Sequence, residues 1–300
     1  MRALIVGGSG FVGTHLTRFL VEKGIDVAIM ARKPERGPGV PEKVGLIAAD
    51  ATKPGKWQDE VGRHDVIINL AGVSTFRRWD ENYKRLLKES RVLTTANVVD
   101  AIPSDAGDRI TLLNASGAGV YGWTGDEKLD ETGLQGSDFL ARLARAWEEE
   151  AIKAERKGAR VVRARLGIVL GNDGGALSQM VRPFRFFAGG PIGNGRQWIS
   201  WIHVQDLCRA ALFVMENTNM RGPVNFTSPE PVRNADLAKA IGKIMNRPSF
   251  MPAPAFMIRL VLGEFGEYAL KGQRAVPKAL LDAGFRFAFG TIEEALLDLL

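Results

Sequence analysis

The chain has 300 residues, of which 45% are hydrophobic and 25% are charged. This composition is typical of a folded globular protein and excludes the disordered, collagenous and membrane-embedded classes. The single cysteine excludes an intramolecular disulfide, and the three histidines lack the spacing of metal ligands, so no metal site is expected. The net charge of +6 suits anionic small molecules. Nucleic-acid binding is the weaker alternative, because the chain has neither a basic run nor an aromatic platform, and no such partner is expected.

Neither a targeting signal nor a spanning segment is visible in the sequence. The apolar run Ala3–Val6 is far shorter than the core of a signal peptide. No stretch reaches the roughly 18 apolar residues that cross a bilayer. We therefore expect a cytoplasmic protein without a membrane partner.

Short apolar runs alternate with helical segments over the first half of the chain. Strands are predicted at residues 3–6, 26–30, 44–48, 66–70, 110–115 and 160–170. Helices are predicted at residues 14–23, 81–102 and 138–157, the last of them capped by Ser137 and ended by Gly158. This alternation predicts an α/β fold with a doubly wound parallel sheet and right-handed crossovers.

The second half of the chain is richer in glycine and proline, notably over Gly189–Gly195. We predict a first domain of residues 1–170 and a smaller C-terminal α+β lobe of residues 171–300. A helix over Gln205–Glu216 is expected to return to the main sheet. A helix over Ile292–Leu300 ends the chain.

A glycine-rich turn, Gly7-Gly8-Ser9-Gly10-Phe11-Val12-Gly13, lies between the first predicted strand and the first helix. Gly7, Gly10 and Gly13 have the spacing of a dinucleotide-binding turn, which needs glycine because the backbone must approach a pyrophosphate closely. The start of the helix would then supply free N–H groups and a partial positive charge. The alternative is a plain glycine-rich turn. The residues expected to contact the cofactor here are Gly7, Gly10, Phe11, Val12 and Gly13.

The end of the second strand indicates which nicotinamide cofactor would bind. NAD-binding proteins place an acidic residue there to hold the ribose hydroxyls. This chain has Arg32 and Lys33 instead. A guanidinium suits a 2′-phosphate, so the sequence favours NADP(H). The alternative is two solvated cations in a loop.

The ends of the third and fourth strands supply further candidate cofactor contacts. Asp50, followed by Ala51, is placed to accept a hydrogen bond from the adenine amino group, although a simple turn cap is an equal alternative. After the fourth strand, Leu70, Ala71 and Gly72 are candidate contacts, because the small residues in this segment would let the backbone lie close to the cofactor's ribose and phosphates.

Together these residues resemble the extended short-chain dehydrogenase/reductase superfamily. More narrowly, the chain resembles the superfamily's atypical epimerase-like branch, in the NAD-dependent epimerase/dehydratase family. Members of this branch carry a C-terminal domain of unknown function. Further matches are Arg78-Trp79, Ser90-Arg91, Trp147-Glu148, Gly174–Leu177, Gly189–Pro191, Gln197–His203, Arg247-Pro248, Val276-Pro277 and Gly284-Phe285. The resemblance implies a Rossmann-type domain and NADP(H) binding, but no particular substrate.

The catalytic signature of that superfamily is missing. Its usual Tyr-x-x-x-Lys pair corresponds to Phe139 and Leu143, which can neither exchange a proton nor carry a charge. The usual catalytic Ser/Thr corresponds to Gly117. An arginine that holds a diphosphate in the epimerases corresponds to Ile199.

Other side chains are therefore the candidates for chemistry. Tyr121 is the candidate proton donor, assisted by Ser116, because both lie near the carboxyl end of the fifth strand. A cationic, aromatic substrate pocket is predicted from Arg78, Trp79, Trp198 and Trp201. The alternative is a pocket-lining role for Tyr121 and packing roles for the tryptophans. The run Glu148–Glu150 is predicted to be a solvated helix face.

Two functions remain open from the sequence. The leading one is an NADP(H)-dependent oxidoreductase or epimerase-like enzyme that moves a hydride to or from an unidentified small molecule. The alternative is a non-catalytic NADP(H) sensor whose C-terminal lobe is read by a partner protein, because the Tyr-x-x-x-Lys pair is absent. Any self-association is expected to give a homodimer, the commonest oligomer.

Overall fold

The structure is a computed structural model that describes all residues, 1–300. Its strands are β1 Arg2–Val6, β2 Asp26–Ala31, β3 Gly45–Ala48, β4 Val66–Asn69, β5 Thr111–Gly117, β6 Lys128–Leu129, β7 Arg160–Leu166, β8 Ile168–Leu170, β9 Trp198–Ile199, β10 Trp201–His203, β11 Gly222–Phe226, β12 Val232–Arg233 and β13 Arg274–Ala275. Its α-helices are α1 Phe11–Glu22, α2 Glu81–Ala101, α3 Phe139–Ile152, α4 Gly175–Arg185, α5 Val204–Glu216, α6 Asn234–Met245, α7 Ala255–Leu262, α8 Phe265–Ala269, α9 Lys278–Asp282 and α10 Ile292–Leu299.

A seven-stranded sheet in the order β11-β7-β5-β4-β1-β2-β3 forms the centre of the molecule. All its neighbouring strands are parallel. Its strands are almost wholly apolar because helices cover both faces of the sheet. One core lies between the sheet and helices α1 and α5, and a second lies on the opposite face under α2. The predicted Rossmann-type α/β fold is confirmed.

The C-terminal lobe has its own core and contributes to the main sheet. Leu177, Trp201, Ile241 and Leu296 pack together in that core with residues of α4, α6 and α10. Short two-stranded pairs, β8 with β10 and β9 with β12, connect its segments. Residues beyond 170 also supply β11 and α5 to the main domain, where Leu207 and Val224 lie in the same core as Ile5.

Two sequence-based boundaries were wrong. The strand predicted over residues 160–170 is two strands, because the chain leaves the sheet at Gly167. A Cβ there would lie 2.8 Å from the carbonyl oxygen of Ser200, so only glycine permits this close approach. The N-cap of α3 is Asp138 rather than Ser137, since the Asp138 carboxylate accepts a hydrogen bond from the N–H of Ala141 at 3.2 Å.

No helix combines the length and the hydrophobicity that crossing a bilayer requires.

The contact between the first strand and the first helix leads to a stability prediction. A Cβ at Gly13 would lie 2.6 Å from the carbonyl oxygen of Gly7 and 2.7 Å from the Cα of Gly8, and these backbone atoms cannot rotate away. We expect Gly13→Ala to lower the free energy of unfolding by about 1–3 kcal/mol, measured by urea denaturation. Gly290→Ala is the control, because its Cβ would have no neighbour closer than 4.0 Å. Equal stability of the two variants would contradict the packing argument.

Candidate functional site

The glycine turn is shaped by close approaches of backbone to backbone. Gly7 has a φ of +86° and its N–H donates to the carbonyl of Met30 at 2.7 Å. A Cβ on Gly7 would lie 3.0 Å from the backbone of Ala71, so the turn touches the end of β4. A Cβ on Gly10 would meet only the carbonyl oxygen of Gly7, at 3.3 Å, and otherwise faces open space. The turn is therefore closed toward the sheet and open at Gly10.

The N-terminus of α1 carries unpaired backbone donors. Its N-cap, Gly10, provides no side-chain cap, and the first turn holds no acidic residue. The N–H groups of Phe11, Val12 and Gly13 have no hydrogen-bond acceptor in the chain. These donors and the positive end of the helix dipole form a site that fits a phosphate or pyrophosphate.

The side chain of Phe11 is held by a second glycine-rich loop, Gly171–Gly175. Only its end, from Gly174, belonged to the segments that matched the family. A Cβ on Gly171, Gly174 or Gly175 would lie within 2.7–2.8 Å of the Phe11 ring. Because these three positions are glycine, the loop before α4 lies flat on the ring. The lobe thus contacts the first turn of α1 directly.

Arg32 and Asp50 follow the neighbouring strands β2 and β3, so they share one edge of the sheet. Arg32 and Lys33 are exposed, and neither forms an ion pair within the chain. Asp50 accepts hydrogen bonds from the N–H of Thr52 at 3.1 Å and from its hydroxyl at 2.7 Å, which lowers the pKa of the Asp50 carboxyl. Asp50 thus forms a turn through one oxygen, Oδ1, and its other oxygen accepts no hydrogen bond within the chain. Ala51 is buried beside it.

A buried polar network fixes the loop after β4. The amide of Asn69 donates to Thr95 at 2.9 Å and to Asn114 at 2.8 Å, while its oxygen accepts the N–H of Ala71 at 3.2 Å. The indole of Trp147 donates to the same Thr95 hydroxyl at 2.8 Å. The predicted contact residues Leu70, Ala71 and Gly72 therefore belong to a rigid segment that begins beside Gly7.

The family pair Ser90-Arg91 supports the same loop from α2. The Ser90 hydroxyl accepts the N–H of Val73 at 3.3 Å, and Arg91 donates to the carbonyl of Val73 at 3.0 Å. The Arg91 guanidinium also lies over the Trp147 ring, 5.2 Å from its centre. Burial lowers the pKa of Arg91 to about 10, so the group stays charged at neutral pH.

The two candidate catalytic hydroxyls belong to one buried ionic network. Ser116 donates to Glu148 at 2.8 Å, and Arg165 donates to both oxygens of Glu148, at 2.8 and 3.0 Å. Arg165 also donates to the Tyr121 hydroxyl at 3.0 Å, and that hydroxyl donates to Asn225 at 2.7 Å. The structure therefore brings Tyr121 and Ser116 together through Glu148 and Arg165.

The Tyr121 phenol is almost inaccessible, with 1% of its surface exposed. Burial raises the pKa of Tyr121, although the charge of Arg165 and the hydrogen bonds from Arg165 and to Asn225 oppose that rise. The hydroxyl is thus protonated at neutral pH, and its proton points to Asn225. Its catalytic role stays a prediction.

Glu148 is buried, so the prediction that it belongs to a solvated helix face was wrong. The signal was present, because Glu148 shares one helical face with the buried Ala141, Ala144 and Ala151. A carboxylate on that face needs a buried cation as partner, and Arg165 supplies it.

Phe139 and Leu143, at the positions of the missing catalytic pair, are part of an aromatic cluster. The Phe139 ring lies edge-on to Trp79, with 5.5 Å between the ring centres, and Trp79 also contacts Phe265 and Tyr268 of α8. The Tyr268 hydroxyl accepts the N–H of Phe139 at 3.1 Å. The lobe therefore packs against the N-terminus of α3, a contact that sequence analysis missed.

The predicted substrate residues have different environments. Arg78 is exposed and donates to the carbonyl of Leu260 at 3.3 Å. Trp198 is half-buried, with the guanidinium groups of Arg233 and Arg274 at 4.0 and 4.2 Å from its ring centre. Trp79 and Trp201 are buried, and both indole N–H groups donate to carbonyl oxygens. Their burial and paired N–H groups are what the packing alternative expects, and the substrate role of these residues stays a prediction.

This fold and site define a class: a Rossmann-type protein with a glycine turn at the carboxyl end of its first strand. Residues 3–226 match the family model of the NAD dependent epimerase/dehydratase family, and residues 253–299 match a domain of unknown function, DUF1731. The chain belongs to the NAD dependent epimerase/dehydratase family.

Relatives similar over the whole chain extend this comparison. The epimerase family protein YfhF of Bacillus subtilis is 38% identical, covering 100% of this chain and 98% of that protein. The chloroplastic SDR39U1 homolog of Arabidopsis thaliana is 35% identical over 99% of this chain and 86% of that protein. The structure of human SDR39U1 with NADPH has a TM-score of 0.86 and 32% identity, covering 100% of this chain and 99% of that one. A UDP-glucose 4-epimerase from Thermus thermophilus, in complex with NAD, shares the fold, with a TM-score of 0.78, 19% identity and coverage of 100% and 98%.

The ionic network leads to a second stability prediction. Glu148→Ala leaves the buried Arg165 without a counter-charge, so we expect the free energy of unfolding to fall by about 3–5 kcal/mol. Glu149→Ala is the matched control, because Glu149 is the exposed neighbour on the same helix and forms no ion pair. We expect it to change stability by less than about 0.5 kcal/mol. Similar urea midpoints for both variants would show that Glu148 does not stabilise the fold.

Proposed function

We propose that this protein binds NADP(H) at the glycine turn. The observation that carries the proposal is the set of three unpaired N–H groups at the start of α1, next to a turn that is open at Gly10. The human relative solved with NADPH supports the choice of a nicotinamide nucleotide. Arg32 supports the phosphorylated form, because an exposed guanidinium without an ion pair is free to bind a 2′-phosphate.

The predicted contacts would bind different parts of the cofactor. Phe11, Val12 and Gly13 would bind the pyrophosphate through their N–H groups. Ala71 and Gly72 would pass close to the ribose and phosphates. Asp50 would accept from the adenine amino group with the oxygen that Thr52 does not use.

Arg32→Ala tests the preference for NADP(H). Loss of a charge-assisted hydrogen bond to phosphate removes about 1.5–3 kcal/mol, so we expect NADPH to bind about 10- to 150-fold more weakly. NADH affinity should stay unchanged, because NADH has no 2′-phosphate. Titration calorimetry with both cofactors measures this, and Lys56→Ala, an exposed lysine of the same domain, is the control. Equal losses for the two cofactors would refute the assigned role of Arg32.

We propose further that the protein is an oxidoreductase or epimerase-like enzyme acting on an unidentified small molecule. The bound nicotinamide would supply or accept a hydride at its C4 atom. Tyr121 would exchange the proton. Arg165 would stabilise the phenolate by charge and hydrogen bond, in place of the lysine of the missing Tyr-x-x-x-Lys pair. Ser116 would assist by fixing Glu148, which in turn orients Arg165.

One observation favours a second candidate, a non-catalytic NADP(H) sensor. The Tyr121 hydroxyl is buried and already paired, and Phe139 is packed against residues of the lobe. A substrate could reach this hydroxyl only after the surrounding residues open. In the sensor, NADP(H) at the turn would stabilise the Gly171–Gly175 loop on Phe11, and a partner protein would read the resulting position of the lobe.

Turnover measurements distinguish the two candidates. NADPH oxidation would be followed by absorbance with a panel of carbonyl compounds and nucleotide sugars. If the protein is an enzyme, one compound should be consumed, and Tyr121→Phe should abolish turnover while keeping NADPH affinity. Retained turnover in Tyr121→Phe would exclude it as the proton donor. Tight NADPH binding without any turnover, together with slower amide exchange in residues 171–300, would favour the sensor.

A further inference from the structure

Helix α7 is apolar on nearly every side, yet none of its residues is buried. Phe256, Leu260 and Val261 each expose about two-thirds of their surface, with values of 68%, 69% and 65%. A helix of this composition is normally covered on most of its circumference. The exposed side of α7 is therefore an exposed apolar patch, a feature that is typical of interaction sites.

Two neighbouring segments extend this surface. Phe250 exposes 78% of its area, in a segment that runs beside Gly189 and Pro191 through hydrogen bonds from Met251 and Ala253. Phe186 and Phe187, at the end of α4, expose 72% and 60%. We define the apolar face by six residues, Phe186, Phe187, Phe250, Phe256, Leu260 and Val261.

The backbone holds one side chain of this face at an energetic cost. Phe187 has a φ of +59°, a left-handed conformation that is unfavourable for a bulky residue. Since the ring is mostly exposed, burial does not compensate for this strain. A strained and exposed aromatic side chain is unusual, and it lies on the same face as the exposed residues of α7.

Cationic side chains border the apolar face. Arg182 and Arg185 precede Phe186 on α4, and Arg247 lies over the Phe187 ring, 4.5 Å from its centre. Lys239, Lys243 and Arg247 line an open hollow of about 680 Å³ that also includes Pro248 and ends at Ser249, next to Phe250. The five residues form no ion pair with a carboxylate of this chain, and we call them the cationic rim: Arg182, Arg185, Lys239, Lys243 and Arg247.

We infer that the apolar face and its cationic rim bind the surface of an anionic lipid bilayer. Apolar side chains would enter the acyl boundary, and the rim would bind the anionic headgroups. The lipid surface is favoured over a second copy of this chain because the five cations of the rim have no ion-pair partner within the chain and complement an anionic surface. The sequence-based expectation of no membrane partner considered only spanning segments.

The face also lies away from the proposed cofactor turn. Gly175, at the start of α4, contacts Phe11, whereas Phe186 follows the end of that 11-residue helix. At 1.5 Å per residue, the length of α4 separates them by about 16 Å. Lipid binding and NADPH binding can therefore be measured independently.

The test is co-sedimentation of the full chain with vesicles of phosphatidylcholine alone or of phosphatidylcholine mixed with the anionic lipid phosphatidylglycerol. We expect binding only to the anionic vesicles. Lys239→Glu combined with Lys243→Glu should weaken it by about thirtyfold or more, from the loss of two lysine contacts with the surface. Phe256→Ser combined with Leu260→Ser should reduce it to the background level.

Matched variants separate this face from general charge and hydrophobicity. Lys23→Glu with Lys56→Glu makes the same charge change on the Rossmann domain, and Leu134→Ser removes an exposed leucine elsewhere. Both should keep vesicle binding, and all variants should keep NADPH affinity. Absence of binding to anionic vesicles, or equal losses in the control variants, would overturn the proposal. A dimer in sedimentation velocity that Phe256→Ser with Leu260→Ser dissociates would also overturn it, because the face would then be a self-interface.

Discussion

The bonds between Glu148 and Arg165 hold the centre of this molecule together. They join α3 to β7 inside the protein, and the same two side chains reach Ser116 on β5 and Tyr121 in the turn after it. Asn225 of β11 completes the network. The buried ion pair therefore connects β5, the third strand of the sheet, with the edge strand β11. A pair that is desolvated on both sides must be satisfied fully, which fixes the relative positions of these elements.

The network occurs in a chain that has Phe139 and Leu143 at the positions of the superfamily's catalytic pair. With Phe139 and Leu143 in place, the N-terminus of α3 becomes a packing surface for Trp79 and Tyr268. The polar side chains lie instead in the buried network of Tyr121, Arg165 and Glu148. The same scaffold therefore separates an apolar contact with the lobe from a buried, charged interior.

The fold was predictable from sequence because its signals are local. Apolar strands of four to seven residues, and glycines at the turn after β1, fix the parallel sheet without reference to distant residues. Glu148 shows the limit: its helical face already indicated burial, but the sequence did not identify its partner Arg165, 17 residues later. Tyr268 was beyond reach for a related reason, because its contact with Phe139 joins positions 129 residues apart. Trp201 and Trp79 were ambiguous because burial and pocket lining use the same residue type.

The position of β11 has a consequence for how the chain is made. The edge next to β7 stays open until residues 222–226 join it. During vectorial synthesis, the sheet of the N-terminal domain therefore stays incomplete until the first part of the C-terminal lobe, through residue 226, has left the ribosome. Until then β7 presents unpaired backbone groups and the Arg165 network lacks Asn225. The two lobes are thus coupled in folding, and a fragment ending near residue 170 is an unfinished domain rather than a separable one.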